Sequence, residues 1–434
     1  MSADPRALIA HAPMSQLQVV AVTMCILLTA LDGFDVLSIS FAAPGIAAEW
    51  GIDRAALGVV LSMELIGMAV GSILIGGLAD RVGRRPSILG ALVLMTAGMM
   101  LAAFARNVYE LSAYRLATGL GIGGMLACTS AMAAEFSNLR RRNLAVILMA
   151  GGYPLGVILG GSVASWLLAS FSWRSVFVLG GLVTAVFIPL TLWLLPESIE
   201  HLLQRRPAGA LRRINRTLRR MGHEGASALS EAQESAPRPG LAALFSGPMA
   251  RTTLLLTAAY FAHIMTFYFI IKWIPKLVVD MGYSASMAGG VLVWANVGGI
   301  AGCVLIGLLA LRYAVKGLVI LELLLGAVMV YLFGLGQSGL TGLSVMAAAA
   351  GFFTNAAVVG LYALFAQSFP TELRAGGTGF VIGVGRGGSA LGPIVAGFLF
   401  AAGAGLSTVA LLMALGSLLA AVALLGLRVP HTGS

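Results

Sequence analysis

Twelve apolar runs long enough to cross a bilayer, each separated by a polar break, dominate this chain of 434 residues. They fall at about 17–43, 56–79, 87–105, 109–136, 144–169, 174–195, 252–275, 286–311, 317–336, 340–367, 376–401 and 404–427. A helix of about 20 apolar residues spans the hydrocarbon layer. No water in that layer can satisfy the backbone, so each segment must bond within itself or close a barrel. The runs lack strand-like alternation, which selects helices. Composition agrees: 10% of residues are charged, against about 25% in soluble domains. The 56 glycines suit close helix contacts. The expected fold class is an all-α integral membrane protein with twelve transmembrane helices in two pseudo-symmetric six-helix halves.

The net charge of +10 could suggest a nucleic-acid partner, but its distribution excludes one. Arg81, Arg84 and Arg85, then Arg140 to Arg142, then Arg205, Arg206, Arg212, Arg213, Arg216, Arg219 and Arg220 sit in breaks that twelve spans place on one side. That is the positive-inside pattern of a multi-pass protein in the bacterial inner membrane, with both termini cytoplasmic. The opposite loops carry only isolated charges such as Arg54, Arg106 and Asp280. Cys25, Cys128 and Cys303 share no metal or disulfide spacing and read as free thiols. The first run is too long for a signal-peptide core, so it is expected to be retained.

One long polar stretch divides the chain into an N-terminal half at 1–196, a linker at 197–250 and a C-terminal half at 251–434. Within the linker, residues 211–220 alternate arginine with apolar residues as a short surface helix would. The halves repeat each other. Gly76-Gly-Leu-Ala-Asp-Arg81 follows the second run of one half as Gly307-Leu-Leu-Ala-Leu-Arg312 follows that of the other. Phe136-Ser-Asn-Leu-Arg-Arg141 and Phe369-Pro-Thr-Glu-Leu-Arg374 match after the fourth. A parallel six-helix repeat is the plan of a secondary transporter with a site between its halves.

Charges inside the runs are the candidates for that site. Asp32 and Asp35 lie three apart, on one helical face of the first run. A carboxylate there costs about 2.5–3.5 kcal/mol on insertion scales, so proton or substrate handling is the default reading. A structural brace is the alternative. Arg386 stands among Gly383, Gly385, Gly387, Gly388 and Ser389, where a planar guanidinium can meet a carboxylate. An internal ion pair is its bland reading. Arg115, near the end of the fourth run, could snorkel to the interface. Lys272 could snorkel likewise beside an interfacial Trp273, or supply a second positive charge to an acidic substrate. His263, Phe267 and Tyr268 share its run and offer a polar contact and stacking, or simple packing. Glu64 could join the acids of the first run, whereas Glu322 has no evident partner. Asn296 and Asn355 fit helix bridging as well as substrate contact. Asp80, Glu135 and Arg141 read most simply as helix-end charges.

The stretch Gly76-Gly-Leu-Ala-Asp-Arg-Val-Gly-Arg-Arg85 resembles the loop signature of the major facilitator superfamily. Asp32-Gly-Phe-Asp35, Arg115-Leu-Ala-Thr-Gly-Leu-Gly-Ile-Gly123, Leu195-Pro-Glu-Ser198 and Gly383-Val-Gly-Arg-Gly-Gly-Ser-Ala-Leu-Gly-Pro393 resemble its aromatic acid:proton symporter branch. The resemblance implies proton coupling through Asp32, Asp35, Arg115 and Glu135. It supports substrate binding at Arg386, and Lys272, His263, Phe267, Tyr268 and Ser389 are candidate neighbours from their places in the runs. It implies gating by Gly76, Asp80, Arg81, Gly83, Arg84, Arg85 and Arg141. The second repeat carries Leu311 in place of Asp80, so such a latch would be one-sided.

No phosphate loop, metal-ligand cluster or nucleophile elbow is present in the sequence, so no enzyme is expected. The expectation is a proton-coupled importer of a small aromatic carboxylate, with no cofactor, protons as coupling ion and the lipid membrane as surroundings. A monomer suffices for this plan. An exporter or importer of a non-aromatic organic acid is the rival within transporters. A membrane sensor that binds without transport is the rival from another class.

Overall fold

A computed structural model of the chain describes residues 4–229, 241–337 and 339–427. In chain order its helices are α1 (Pro5–His11), α2 (Gln16–Trp50), α3 (Arg54–Val82), α4 (Arg84–Ala103), α5 (Val108–Glu135), α6 (Arg142–Leu167), α7 (Arg174–Leu194), α8 (Ile199–Arg205), α9 (Ala210–Arg220), α10 (Gly247–Asp280), α11 (Ala285–Leu309), α12 (Val315–Gly334), α13 (Leu340–Ser368), α14 (Thr371–Ala401) and α15 (Leu406–Leu425). Among the described residues, twelve of these are long and apolar enough to cross a membrane, α2 to α7 and α10 to α15. The protein is all-α with twelve membrane helices, as the apolar runs require.

Helix α2 runs well past the expected end at residue 43. Protein packing, rather than hydropathy, sustains that end: Gly45 lies against the Trp173 side chain, and Trp50 meets Trp173 edge to face. Trp173 in turn donates its indole N–H to Glu49 at 2.7 Å.

The chain forms two compact units. The first comprises Met1–Val36, Gly67–Val157 and Phe177–Ser235. Within it α5 packs against α4 and against the later part of α3. A Cβ added at Gly67 would sit 2.2 Å from the Leu116 carbonyl oxygen, and one at Gly123 would sit 2.1 Å from that of Met68. Only glycine permits such backbone contact.

The second unit comprises Leu37–Ile66, Ile158–Val176 and Ala236–Ser434. Helix α11 meets α13 in the same manner, with Gly298 on the Ala348 carbonyl and Gly351 on that of Ala295. Thus α3 with α5 and α11 with α13, which are the second and fourth spans of each repeat, use the same device. Helix α10 packs between α14 and α15, and α12 between α13 and α15. Outward faces carry large apolar side chains, among them Leu411, Leu415, Leu419 and Val422 of α15, as contact with acyl chains demands.

At the arginine-rich helix ends, α8 and α9 lie against the first unit. Ser198 caps α8 through the His201 N–H. Helix α9 buries Ala210, Ile214 and Leu218, and its five arginines occupy the open face. Arg6 of α1 grips Glu200 of α8 at 2.8 Å. That hydrogen bond holds the Glu200 carboxyl below the usual range and raises Arg6.

Candidate functional site

Asp32 and Asp35 are buried, at 1% and 0% exposure, so neither reaches lipid. Asp35 Oδ2 accepts a hydrogen bond from Thr184 Oγ1 of α7 at 3.3 Å. Arg115 does not snorkel. Its guanidinium is sealed inside the first unit, where Nη2 donates to the Asp35 carbonyl oxygen at 2.7 Å and Nη1 approaches Met99 Sδ at 2.8 Å. The ring of Phe177 lies beneath it, 5.4 Å from centroid to Cζ. Arginine tolerates this place because its charge is spread over a plane that stacks on an aromatic face. Arg115 of the fourth span thus meets the main chain of Asp35 in the first, and Asp32 is buried three residues before Asp35 on the same helix. Charge buried at this density in a membrane protein marks a functional locus.

Lys272 is the second departure from the snorkelling expectation. Its ammonium lies 3.6 Å from Glu64 Oε2, and both side chains are fully buried in the second unit. Trp273 is no interfacial residue either: it is fully buried and its indole donates to the Pro393 carbonyl at 3.2 Å. Both are held where α3 and α14 touch closely, Gly58 lying on the Pro393 carbonyl and Gly397 on that of Arg54. One turn beyond, Arg54 pairs with Asp280 at 2.9 Å, so those loop charges are partners rather than isolated. Glu64 is thus paired with Lys272.

Arg386 is half-buried on α14. Ser389 returns its hydroxyl to the Arg386 carbonyl at 2.6 Å, which uses that donor within the helix. Tyr260 of α10 lies on Gly385, whose missing side chain makes room for the ring. Its hydroxyl is 3.0 Å from that of Tyr362 on α13, and Phe365 closes the group edge-on to Tyr260. Neither tyrosine stands out in the sequence, since each lies in an apolar run like any packing aromatic. His263 is committed elsewhere: one ring nitrogen meets Ser417 Oγ at 2.9 Å and the other the Thr354 carbonyl oxygen at 3.0 Å. It braces α10 against α13 and α15. Phe267 is buried and meets Tyr268 edge to face at 5.2 Å. Glu322 is buried on α12, and its Oε2 has no hydrogen-bond partner among the described residues.

The gating candidates gather at the arginine-rich ends of the first unit. Arg84 binds Asp80 at 2.6 Å and reaches Glu135 at 3.7 Å. Glu135 also takes the Ser198 hydroxyl. It lies twenty residues along α5 from Arg115, about 30 Å by helical rise, so it joins the Asp80 network rather than the Asp35 cluster. Glu197 links the set, its Oε1 accepting from the Arg84 and Arg85 backbone N–H groups at 2.9 and 3.3 Å. A carboxylate at the first turn of α4 complements the helix dipole. Gly83 makes this possible with φ 117 and no side chain to displace Glu197. Arg85 bonds the Leu192 carbonyl, Gly76 is half-buried, and Arg81 and Arg141 are exposed. Burial lowers the basicity of nearby His201.

A bundle of twelve apolar helices holding buried charge, with spans paired alike in two repeats, defines a membrane transporter rather than an enzyme. The family model for the Major Facilitator Superfamily matches residues 25–343. The chain belongs to that superfamily. It is 33% identical to the gallate transporter of Pseudomonas putida, over 97% of this chain and 94% of that protein. It is 33% identical to the 4-hydroxybenzoate transporter PcaK of Pseudomonas aeruginosa, over 97% and 95%. The 3-(3-hydroxy-phenyl)propionate transporter of Escherichia coli is 30% identical over 92% and 91%. The partially occluded inward open conformation of the xylose transporter XylE from E. coli shares the fold, with a TM-score of 0.77 at 17% identity, covering 97% of this chain and 100% of that one. The chain is a multi-pass bacterial membrane protein.

Proposed function

We propose that this protein imports a small aromatic carboxylate together with protons across the bacterial inner membrane, by exposing its site to each side in turn. The observation that carries the reading is the burial of Asp32, Asp35 and Arg115 within membrane spans, with Arg115 bonded to the Asp35 main chain. Charge inside a membrane span is costly and is kept where it serves a function. Relatives that carry gallate, 4-hydroxybenzoate and hydroxyphenylpropionate support an aromatic acid as cargo. The arginine-rich ends, α8 and α9 among them, are the cytoplasmic face, with both termini on that side.

The energetics follow from charge. An anion entering against the membrane potential is opposed by about 2.3 kcal/mol per 100 mV. One proton travelling with it cancels that charge, and a second adds electrical drive. Asp32 or Asp35 loads the proton. Arg386 takes the carboxylate in its planar fork, with aromatic side chains of α10 and α13 against the ring. Lys272 is available to a substrate carboxylate only when Glu64 yields it. The network of Asp80, Arg84, Glu135 and Glu197 works as a latch that breaks and re-forms in the cycle.

Reconstituted vesicles test this. An inward proton gradient should drive labelled 4-hydroxybenzoate or a related hydroxylated acid above equilibrium. Failure of an imposed gradient to do so, with counterflow intact, would leave a transporter without proton symport. Absence of counterflow as well would favour a sensor.

A further inference from the structure

Two phenols facing each other beside a guanidinium are not accounted for by packing alone. Tyr260 is almost wholly buried, whereas Tyr362 is 40% exposed, and their oxygens are 3.0 Å apart. The Tyr260 ring lies on Gly385, the residue next to Arg386 on α14. The glycines of α14 set this arrangement. Tyr260 fits only because Gly385 has no side chain, and a Cβ at Gly379 or Gly383, two turns and one turn before Arg386, would meet nothing within 4 Å. The exposed face of α14 carries Gly383 and Gly387 beside Arg386, together with Val384 and Leu391.

Hydrogen-bond accounting then narrows what the pair does. Two phenols own two donor protons, and one of them lies between the two oxygens. Among the described residues no protein acceptor other than the partner tyrosine takes the second. One donor proton and spare lone pairs are therefore left for another polar group.

We propose that the Tyr260–Tyr362 pair is a hydroxyl-reading subsite, which hydrogen-bonds a hydroxyl on the ring of an aromatic acid whose carboxylate is held by Arg386. The proposal rests on the reading of Arg386 as the carboxylate anchor and adds the preferred class of cargo: ring-hydroxylated acids over their unsubstituted parents. Sites whose buried polar groups are left wholly unpaired by the wrong ligand discriminate by about 10⁴ or more. Here the two tyrosines satisfy each other when no ring hydroxyl is present. The expected preference is accordingly about tenfold, the worth of one ordinary hydrogen bond.

The test measures dissociation constants on purified full-length protein for benzoate, 3-hydroxybenzoate, 4-hydroxybenzoate, 3-phenylpropionate and 3-(3-hydroxyphenyl)propionate. At least one hydroxylated acid should bind about tenfold tighter than its parent. In Tyr362→Phe, which keeps the ring and alters an exposed hydroxyl, that ratio should fall close to one. Tyr260→Phe gives a second, independent reading of the same ratio, with thermal melting to confirm folding. Equal affinities in the wild type, or a preference retained in both variants, overturn the subsite while leaving Arg386 as anchor. If none of the acids binds, or if Arg386→Gln binds them as the wild type does, the anchor itself is wrong and the subsite falls with it.

Discussion

The charged cluster on α2 and α5 and the surroundings of Arg386 on α14 solve opposite problems. Around Asp35 the groups are buried: Thr184 bonds its carboxylate, Arg115 bonds its main-chain carbonyl, and Phe177 lies beneath the guanidinium. Around Arg386 it has left room, with glycines instead of bulk and two phenols that bond each other until something else arrives. The first arrangement suits a small ion that needs only a change of protonation. The second suits a molecule with a shape and a polar edge. Buried charge and open space are both expensive in a bilayer, and the chain devotes them to different regions.

That contrast can be broken most severely at the other sealed pair. Lys272→Met leaves Glu64 buried without its ammonium and should lower stability by about 3–5 kcal/mol, whereas Glu64→Gln with Lys272→Met together should recover most of it. Thermal melts of the single and double variants decide the point, and an additive double variant would show that the two do not interact. A lesser effect is expected on the open side. Arg386→Lys keeps the charge but loses the fork, and should weaken carboxylate binding about tenfold in equilibrium titrations. Unchanged affinity would mean that geometry there is irrelevant.

Smaller again is the helix cap. Glu197→Gln removes the charge from the α4 N-terminus and should cost about 0.5–2 kcal/mol, read as a shift in melting with the fold intact. The smallest effect belongs to the surface pair of Arg6 and Glu200, worth about 0.2–1 kcal/mol after screening. Glu200 is held below its ordinary range by Arg6. The contribution is therefore complete above the unfolded carboxyl value of about 4.3 and fades as pH falls through the folded one. Arg6→Gln should thus differ from wild type at neutral pH and converge with it in acid.

The helices were readable because acyl chains demand unbroken apolar runs, and most of the twelve begin and end within a few residues of their runs. Where protein rather than lipid covers a helix, hydropathy misleads: α2 continues to Trp50 on the strength of Trp173. Asp32 and Asp35 declared themselves as charges in an apolar run, and Arg115 did so once its family motif was seen. Its burial beside Asp35 did not, because a base near a run's end fits snorkelling equally well. Glu64 and Lys272 were each visible, but nothing local says that residues so distant in the chain meet. Tyr260 and Tyr362 gave no signal at all, since a tyrosine in an apolar run is indistinguishable from packing until Gly385 brings it to Arg386. Glu197 appeared only as one letter of a motif, and its grip on the start of α4 needed coordinates.

Substrate-induced proton movement is the most direct probe of the account. Adding a transported acid to lightly buffered vesicles should make the outside more alkaline in the wild type. With Asp32→Asn or Asp35→Asn, that signal should vanish in at least one variant while labelled-substrate counterflow continues. A pH signal of full size in both variants would remove these acids from coupling and contradict the central claim.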